Sequence, residues 1–333
     1  MTEVSTPAPI ALGNPSDGGT VQPWFGPGGQ RMERLELHIA YTCPERCVFC
    51  SEEDRMASYK QFGVSWARAA TVLRKHAARG VRAVHFTGGE PTIHPQFVQL
   101  LALARKLRMR TSIGTIGTML AREDFAKQAL PLLDEALFSL HGPDAATHDP
   151  LAGRPGSWET VTTAMRLARE LKPDFSLFVN TVVTRHNLEQ LPATAALAAN
   201  LGARLLVVSN TTPEGGGLHQ YEELAPRLED LARVLPTVPA AAPGVVLRFF
   251  GTPMCVLGES WTLSNDLHWD PRVTAEWASK PGKVVFEDFY NWAPDRKRVH
   301  VEACDRCSRK GLCTGIFDRY AELWSTEALR PIG

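Results

Sequence analysis

The chain has 333 residues, in which 36 Lys and Arg balance 36 Asp and Glu, and 44% of the residues are hydrophobic. This length suggests about two domains, or one barrel with an appendage. The net charge of zero excludes a strongly basic nucleic-acid-binding protein, and the sequence has no apolar run of about 18 residues that would span a membrane. Because the N-terminus also lacks the pattern of a secretory signal, we expect a cytoplasmic location, where thiols stay reduced.

In chain order, residues 1–30 are rich in Gly and Pro, show no periodicity and predict a flexible arm. From residue 31 to residue 210, short apolar runs alternate with amphipathic segments. The predicted strands are 35–40, 82–86, 111–116, 135–140, 175–183 and 204–208. Such alternation gives a parallel sheet with right-handed crossovers. Since a full eight-unit barrel needs about 250 residues, we predict an α/β fold, a partial and laterally open (β/α)6 barrel.

The pattern changes after residue 210. A predicted helix at 221–235 and a last strand at 245–250 precede a segment that holds four cysteines but little regular structure. Such a segment is too sparse to form a large core by itself. We therefore predict a barrel domain at residues 31–250 and a small cysteine-rich metal-cluster domain at residues 251–333.

The seven cysteines fall into two groups. The first is Cys43, Cys47 and Cys50, and the second is Cys255, Cys304, Cys307 and Cys313. An odd number of cysteines in a reducing compartment is poor material for disulfides, so the grouping indicates two metal sites. The first group follows the first predicted strand. Three thiolates suit an iron–sulfur cluster with one open iron, whereas structural zinc normally requires four ligands.

The spacing of Cys43, Cys47 and Cys50, with Phe49 before the last cysteine, resembles the signature of the radical S-adenosylmethionine (SAM) enzymes. Residues 87–91, Thr-Gly-Gly-Glu-Pro, follow the second predicted strand and are similar to the Gly-Gly-Glu motif of that family. The resemblance implies that the three cysteines hold a [4Fe–4S] cluster whose open iron binds SAM. Reductive cleavage of SAM would then yield a 5′-deoxyadenosyl radical that abstracts hydrogen from a substrate.

The same resemblance implies a set of SAM-binding residues. Phe49 belongs to this predicted site, Gly88 and Gly89 would let the backbone approach the ligand closely, and Glu90 would accept a hydrogen bond from the methionine ammonium. At the ends of the fourth and fifth predicted strands, Ser139 and Asn180 occupy places where family members hold the ribose hydroxyls. Each is equally explained as a polar strand-end residue bonded to backbone or water. The sequence identifies no catalytic acid or base.

The second cysteine group resembles the auxiliary-cluster domains of the same superfamily. The two-cluster SPASM type needs about seven additional cysteines, so four cysteines are more similar to the one-cluster Twitch type. The resemblance implies a second [4Fe–4S] cluster with no open iron. A structural zinc ion has the same four-cysteine ligand set and remains the alternative.

From these features we predict a radical SAM oxidoreductase or lyase that acts on a small metabolite. The segment before Cys43 is too short for a winged-helix peptide-recognition domain, which favours a small molecule over a peptide as substrate. One alternative is a maturase of ribosomally made peptides, and another is a non-catalytic metal-cluster scaffold or sensor. The expected partners are a small molecule and an electron donor such as flavodoxin or ferredoxin, with no nucleic acid and no membrane.

Overall fold

The computed structural model describes residues 32–333, so the predicted arm at residues 1–30 lies outside the described residues. The strands are β1 (Arg34–Ala40), β2 (Ala83–Gly88), β3 (Arg110–Thr115), β4 (Glu135–Ser139), β5 (Ser176–Val183), β6 (Leu205–Asn210), β7 (Val246–Phe250), β8 (Arg272–Lys280), β9 (Lys283–Asn291), β10 (Arg298–Val299) and β11 (Ile316–Phe317).

The helices lie mainly between consecutive strands. They are α1 (Glu53–Tyr59), α2 (Trp66–Ala78), α3 (Phe97–Lys106), α4 (Glu123–Ala129), α5 (Ala145–Ala152), α6 (Ser157–Leu171), α7 (Leu191–Asn200), α8 (Gly216–His219), α9 (Tyr221–Leu224), α10 (Leu228–Val234), α11 (Val238–Ala241), α12 (Met254–Leu257) and α13 (Asp318–Leu323).

One sheet organises the molecule, with strand order β7-β6-β5-β4-β3-β2-β1-β8-β9. The neighbours from β1 to β7 all pair in parallel, and β8 also pairs in parallel with β1. Strand β9 pairs with β8 in an antiparallel hairpin, so β7 and β9 are the two edges of the sheet. This arrangement confirms the predicted α/β fold with an open parallel sheet.

Side chains along each strand alternate between the hydrophobic core and the opposite face of the sheet. In β1, Leu35, Leu37 and Ile39 are buried in the main hydrophobic core. Ser65 is the N-cap of helix α2, and its hydroxyl accepts a hydrogen bond from the backbone N–H of Arg68. The helices thus cover one face of the sheet, and the carboxyl ends of the strands are left to form a site.

Two predicted elements differ from the structure. The single helix predicted at 221–235 is divided into α9 and α10, because Pro226 cannot continue the hydrogen-bond ladder of a helix and restricts the residue before it. The hairpin of β8 and β9 was not predicted, although Pro281 and Gly282 mark its turn. Because this hairpin extends the main sheet beside β1, the domain division at residue 250 stays a prediction.

Within residues 32–333, no helix is both long enough and apolar enough to cross a membrane.

Candidate functional site

A cavity of about 1090 Å³ lies at the carboxyl ends of the parallel strands. Gly88, Ser139, Asn180, Asn210 and Phe250 line it from β2, β4, β5, β6 and β7. The segment 43–50, which we call the cysteine loop, forms a further wall between β1 and α1. Ligand sites of barrel enzymes occupy this end of the sheet, so this cavity is the candidate site.

The cysteine loop is fixed by backbone hydrogen bonds. The N–H of Arg46 donates to the carbonyl of Ala152 and the N–H of Val48 donates to the carbonyl of Leu151, each at 3.0 Å. The loop is therefore docked on the end of α5. Its position is set by backbone contacts, and its side chains are available to the cavity.

The three thiols of Cys43, Cys47 and Cys50 all line this cavity. Burial raises the pKa of Cys43 to about 12 and that of Cys50 to about 11, and it raises the pKa of Cys47 as well. The thiolate forms are therefore costly unless a cation accompanies them, as iron does in a cluster. Three cysteines at the edge of an open cavity fit a [4Fe–4S] cluster that keeps one iron for another ligand.

Whether the cysteines fit a cluster depends on the ligand atoms they supply and on how they line the cavity. Within residues 32–333, no group of three or more His, Cys, Asp or Glu side chains is arranged to hold a single metal ion. Neither cysteine group is thus a ready-made site for one ion.

Phe49 joins the cysteine loop to the cavity wall. Its ring is buried, lines the cavity and meets the His141 ring edge-on, with 4.7 Å between the ring centroids. Burial and the neighbouring His148 lower the pKa of His141 well below its usual range. Since Nδ1 of His141 accepts from the N–H of Val182, the neutral ring carries its proton on Nε2 and is a hydrogen-bond donor.

Gly88 and Gly89 line the cavity, but close backbone contacts on their other side also require glycine. A Cβ atom at Gly88 would lie 2.1 Å from the carbonyl oxygen of Ala40, and one at Gly89 would lie 2.1 Å from that of Thr42. Gly88 also has a φ of 117°. These two glycines therefore join the end of β2 to the start of the cysteine loop.

Glu90 is fully buried and is not among the cavity-lining residues. Its carboxylate accepts hydrogen bonds from the backbone N–H groups of Thr92 and Ile116, at 3.0 and 2.8 Å, and from the hydroxyls of Thr92 and Thr115. Burial raises its pKa, whereas these donors lower it. The carboxylate oxygens are occupied within the protein, so a bond from Glu90 to a methionine ammonium stays a prediction that this geometry does not support.

Ser139 and Asn180 both line the cavity, on adjacent strands at paired positions. The hydroxyl of Ser209, which ends β6 with Asn210, contacts Oδ1 of Asn180 at 2.7 Å. Because the amide oxygen of Asn180 only accepts, the hydroxyl of Ser209 donates, and the amide N–H groups of Asn180 are left for a ligand. The structure brings these polar side chains together beside the cysteines, and their roles in binding stay predictions.

The sequence analysis did not identify Glu45 as a site residue, although it lies between two predicted cluster ligands. Its side chain is only 3% exposed and lines the cavity. Burial raises its pKa to about 7, and the thiol of Cys47 donates to its carboxylate at 3.5 Å. A polar residue inside the cysteine motif was the available signal.

The second cysteine group converges on a different, smaller cavity of about 400 Å³. Cys255, Cys304, Cys307 and Cys313 all line it. Burial raises the pKa of Cys255 to about 11 and also raises that of Cys313. The N–H of Ile332 donates to the sulfur of Cys307 and that of Gly315 to the sulfur of Cys313, both at 3.4 Å. Four thiols match the ligand number of a [4Fe–4S] cluster and also that of zinc, although they are not arranged here to hold a single ion.

A buried ion pair supports the loop that carries Cys313. Arg298 and Asp266 are 0% and 1% exposed, and their charged groups are 3.7 Å apart. Arg298 donates from Nε to the carbonyl of Gly315 at 3.0 Å, and Asp266 accepts from the N–H of Thr314 at 2.9 Å. The two residues thus hold both sides of the backbone that follows Cys313.

Comparison with known proteins identifies a family and several relatives to which the chain is similar. Residues 37–198 match the family model described as the radical SAM superfamily. The chain is 33% identical over 207 residues to a PqqA peptide cyclase from Rhodopseudomonas palustris, covering 62% of this chain and 54% of that protein. It is 30% identical over 197 residues to a PqqA peptide cyclase from Gluconobacter oxydans, covering 59% and 54%. The chain spans about half the length of these curated relatives.

Solved structures share the fold at low sequence identity. Streptococcus suis SuiB bound to S-adenosylmethionine superposes with a TM-score of 0.59 at 16% identity, covering 91% of this chain and 76% of that chain. Native anSMEcpe with bound AdoMet and Cp18Cys peptide gives a TM-score of 0.57 at 17% identity, covering 89% and 92%.

Our prediction that a small metabolite rather than a peptide is the substrate and partner is wrong. The relatives that match the chain are named as cyclases of a peptide, and SuiB is also known bound to its precursor peptide SuiA. The short segment before Cys43 was therefore a poor guide, because a peptide substrate does not require a recognition domain at that position.

The cysteine loop, the cavity at the strand ends and the family model agree on one identification. The cofactors of this family are SAM and a [4Fe–4S] cluster, for which the cavity has both the thiols and the volume. Residues 37–198 of the chain are a radical SAM domain, which belongs to the radical SAM superfamily.

Proposed function

We propose that this protein modifies a peptide by radical SAM chemistry. The observation that supports this most is the match to relatives named as peptide cyclases, combined with three cysteines on the wall of a cavity of about 1090 Å³. The volume includes space that is open to solvent. An open cavity would let a peptide chain enter beside SAM.

In this proposal Cys43, Cys47 and Cys50 hold the catalytic cluster. When bound, the cluster and SAM supply the reducing electron and the radical that abstracts a hydrogen atom from the substrate. The chain contributes position and exclusion of water, because docking on α5 fixes the cysteine loop while Phe49 covers one side of it.

The polar residues of the cavity would orient the nucleoside part of SAM. Asn180 offers amide donors because Ser209 occupies its carbonyl oxygen, and neutral His141 offers Nε2–H. Ser139, at the end of β4, lines the same cavity and is paired with Asn180. We assign these side chains to the hydroxyls and base of the nucleoside, since hydroxyl and ring-nitrogen acceptors match such donors.

The second site would hold a [4Fe–4S] cluster with all four ligands supplied by protein. Its four cysteines and the N–H donors to two of the sulfurs support this ligation. An oxidoreductase or lyase class of reaction, with this cluster accepting an electron from the substrate, belongs to the proposal, as do the cytoplasmic location and the small domain at residues 251–333.

The test is anaerobic turnover of the reconstituted protein with SAM and dithionite. Synthetic PqqA peptide and an equimolar mixture of its free amino acids are compared, and 5′-deoxyadenosine and peptide mass are measured. We expect the peptide, and not the mixture, to stimulate 5′-deoxyadenosine formation and to change in mass. Stimulation by the free amino acids, with no response to the peptide, would contradict the proposal.

A further inference from the structure

The segment 211–217, which follows β6 and which we call the glycine segment, lies directly against the cysteine loop. The backbone N–H of Gly216 donates to the carbonyl of Cys50 at 2.9 Å. A few residues later, Nε2 of Gln220 donates to the carbonyl of Val48 at 3.2 Å. Two carbonyl groups of the cysteine loop, one of them on a proposed ligand, are therefore held by this part of the chain.

Successive glycines make this approach possible, and two of them lie tightly against the cysteine loop. A Cβ atom at Gly215 would lie 2.4 Å from the carbonyl oxygen of Cys50, and one at Gly216 would lie 2.7 Å from that of Val48. At Gly217 a Cβ atom would lie 2.3 Å from the carbonyl oxygen of Thr212. Each of these neighbours is backbone and cannot rotate away. Any larger side chain must therefore displace either the glycine segment or the cysteine loop.

Two residues on the N-terminal side of the glycines anchor the glycine segment, so a side chain added at Gly215 or Gly216 would press against the cysteine loop. Thr211 is fully buried and donates its hydroxyl to the carbonyl of Val183 at 2.7 Å. Glu214 forms an ion pair with Arg296 at 2.5 Å, which connects the segment to the chain between β9 and β10.

We propose that Gly215 and Gly216 are positioning residues that act through Cys50. They hold its backbone where the thiolate completes the cluster site, and they cover that side of the cysteine loop. This inference rests on the proposed binding of the catalytic cluster by Cys43, Cys47 and Cys50. Thr212 lines the same cavity as the cysteines, so the glycine segment is also part of the cavity wall.

The test replaces one glycine at a time in the full-length reconstituted protein. The variants are Gly215→Ala and Gly216→Ala, and the matched control is Leu218→Ala, whose side chain lies in α8 and is 41% exposed. The readouts are iron per protein, the thermal midpoint, and the part of the reduced electron paramagnetic resonance (EPR) spectrum that changes when SAM is added.

Loss of outer contacts to ligand residues typically weakens metal binding by roughly ten-fold to a hundred-fold. We therefore expect both alanine variants to lose most of the SAM-responsive signal, at a thermal midpoint close to that of Leu218→Ala. A SAM-responsive signal in both alanine variants equal to that of the control would overturn the proposal.

A milder variant tests the same proposal if the glycine variants fail to fold. Gln220→Ala removes only the hydrogen bond to Val48 from an exposed side chain. We expect iron to leave the SAM-responsive cluster about two- to ten-fold faster in the presence of a chelator, in proportion to one hydrogen bond. An unchanged rate of iron loss would contradict the proposal that this part of the chain holds the cysteine loop in place. A wild-type protein with no SAM-responsive signal contradicts the proposed cluster site instead, so the two failures are distinguishable.

Discussion

The two cysteine sites of this protein differ in ligand number, surroundings and sequence distance. The first uses three cysteines from one short loop at the edge of a cavity of about 1090 Å³. The second collects four cysteines, from Cys255 to Cys313, around a cavity of about 400 Å³. An incomplete ligand set beside a large cavity suits ligand binding, whereas a complete set in a small cavity suits electron storage or structural support.

The difference extends to how each site is held in place. The cysteine loop is docked by backbone contacts to α5, β2 and the glycine segment. The four cysteines of the second site come from distant segments, which the proposed metal would join, and the buried pair of Arg298 and Asp266 supports one of them. Removing metal should therefore affect chemistry at the first site and stability at the second.

The largest expected effect is at the first site. Replacing Cys43, Cys47 and Cys50 together by Ala should abolish formation of 5′-deoxyadenosine and lower the iron content from about eight to about four per protein. The fold should persist, because backbone contacts hold the loop. A triple variant that still cleaves SAM with dithionite would show that the catalytic cluster lies elsewhere.

The second site should respond in the opposite way. Changing Cys307→Ala should lower the thermal midpoint by several degrees, since the metal no longer closes the long loop between Cys255 and Cys304. Slow cleavage of SAM should continue while modified peptide is lost. Differential scanning calorimetry and product analysis measure the two effects, and wild-type product yield in the variant would refute a redox role.

Replacing Glu90 tests whether this residue supports the fold around the first site or contacts SAM directly. Glu90→Gln places an amide donor against the donors from Thr92 and Ile116, and one unsatisfied buried group costs roughly 1–3 kcal/mol. We expect a lower free energy of unfolding, with the Kd of SAM changed by less than about ten-fold. A larger loss of affinity at unchanged stability would restore the direct bond to the methionine ammonium.

The smallest effect is expected in the β8–β9 hairpin. Burial raises the pKa of Asp288, but hydrogen bonds from His76 and Lys75 of α2 have the larger, opposite effect. The net result is a pKa lowered to about 2. The folded pKa is thus below the unfolded pKa of about 3.9, so the stabilisation is complete above that value and is lost as pH falls towards 2. Asp288→Asn should be less stable by roughly 1–2 kcal/mol at pH 7, allowing for solvent screening.

The difference in stability between Asp288→Asn and the wild type should shrink as urea unfolding is repeated at lower pH, from about 5 to about 3. A constant difference across this range would mean that the ionised carboxylate does not stabilise the hairpin.

Local patterns in the sequence were sufficient for the parallel strands and for both cysteine groups. The alternation of apolar runs predicted β1 to β7 within a few residues, and the spacing of Cys43, Cys47 and Cys50 predicted that the three would lie together. These features depend on neighbours in the sequence, which is why they could be identified without a structure.

Long-range contacts could not be predicted in the same way. The pairing of β8 with β1 joins residues more than two hundred positions apart, and the glycine segment meets Cys50 only in the folded chain. Glu90 shows the other limit, because its residue type suggested a ligand whereas four protein donors surround its carboxylate. The identity of the substrate depended on the comparison with relatives.

The central claim is that only the site of Cys43, Cys47 and Cys50 binds SAM, and EPR spectroscopy of the dithionite-reduced protein tests it most directly. Spectra of the wild type and of the triple Ala variant are recorded with and without SAM, and SAM binding is measured in parallel. The account predicts that SAM changes the wild-type spectrum and leaves the remaining signal of the variant unchanged. A SAM-dependent change in the triple variant would contradict it, because a cluster held by all four cysteines of the second site would have no open iron.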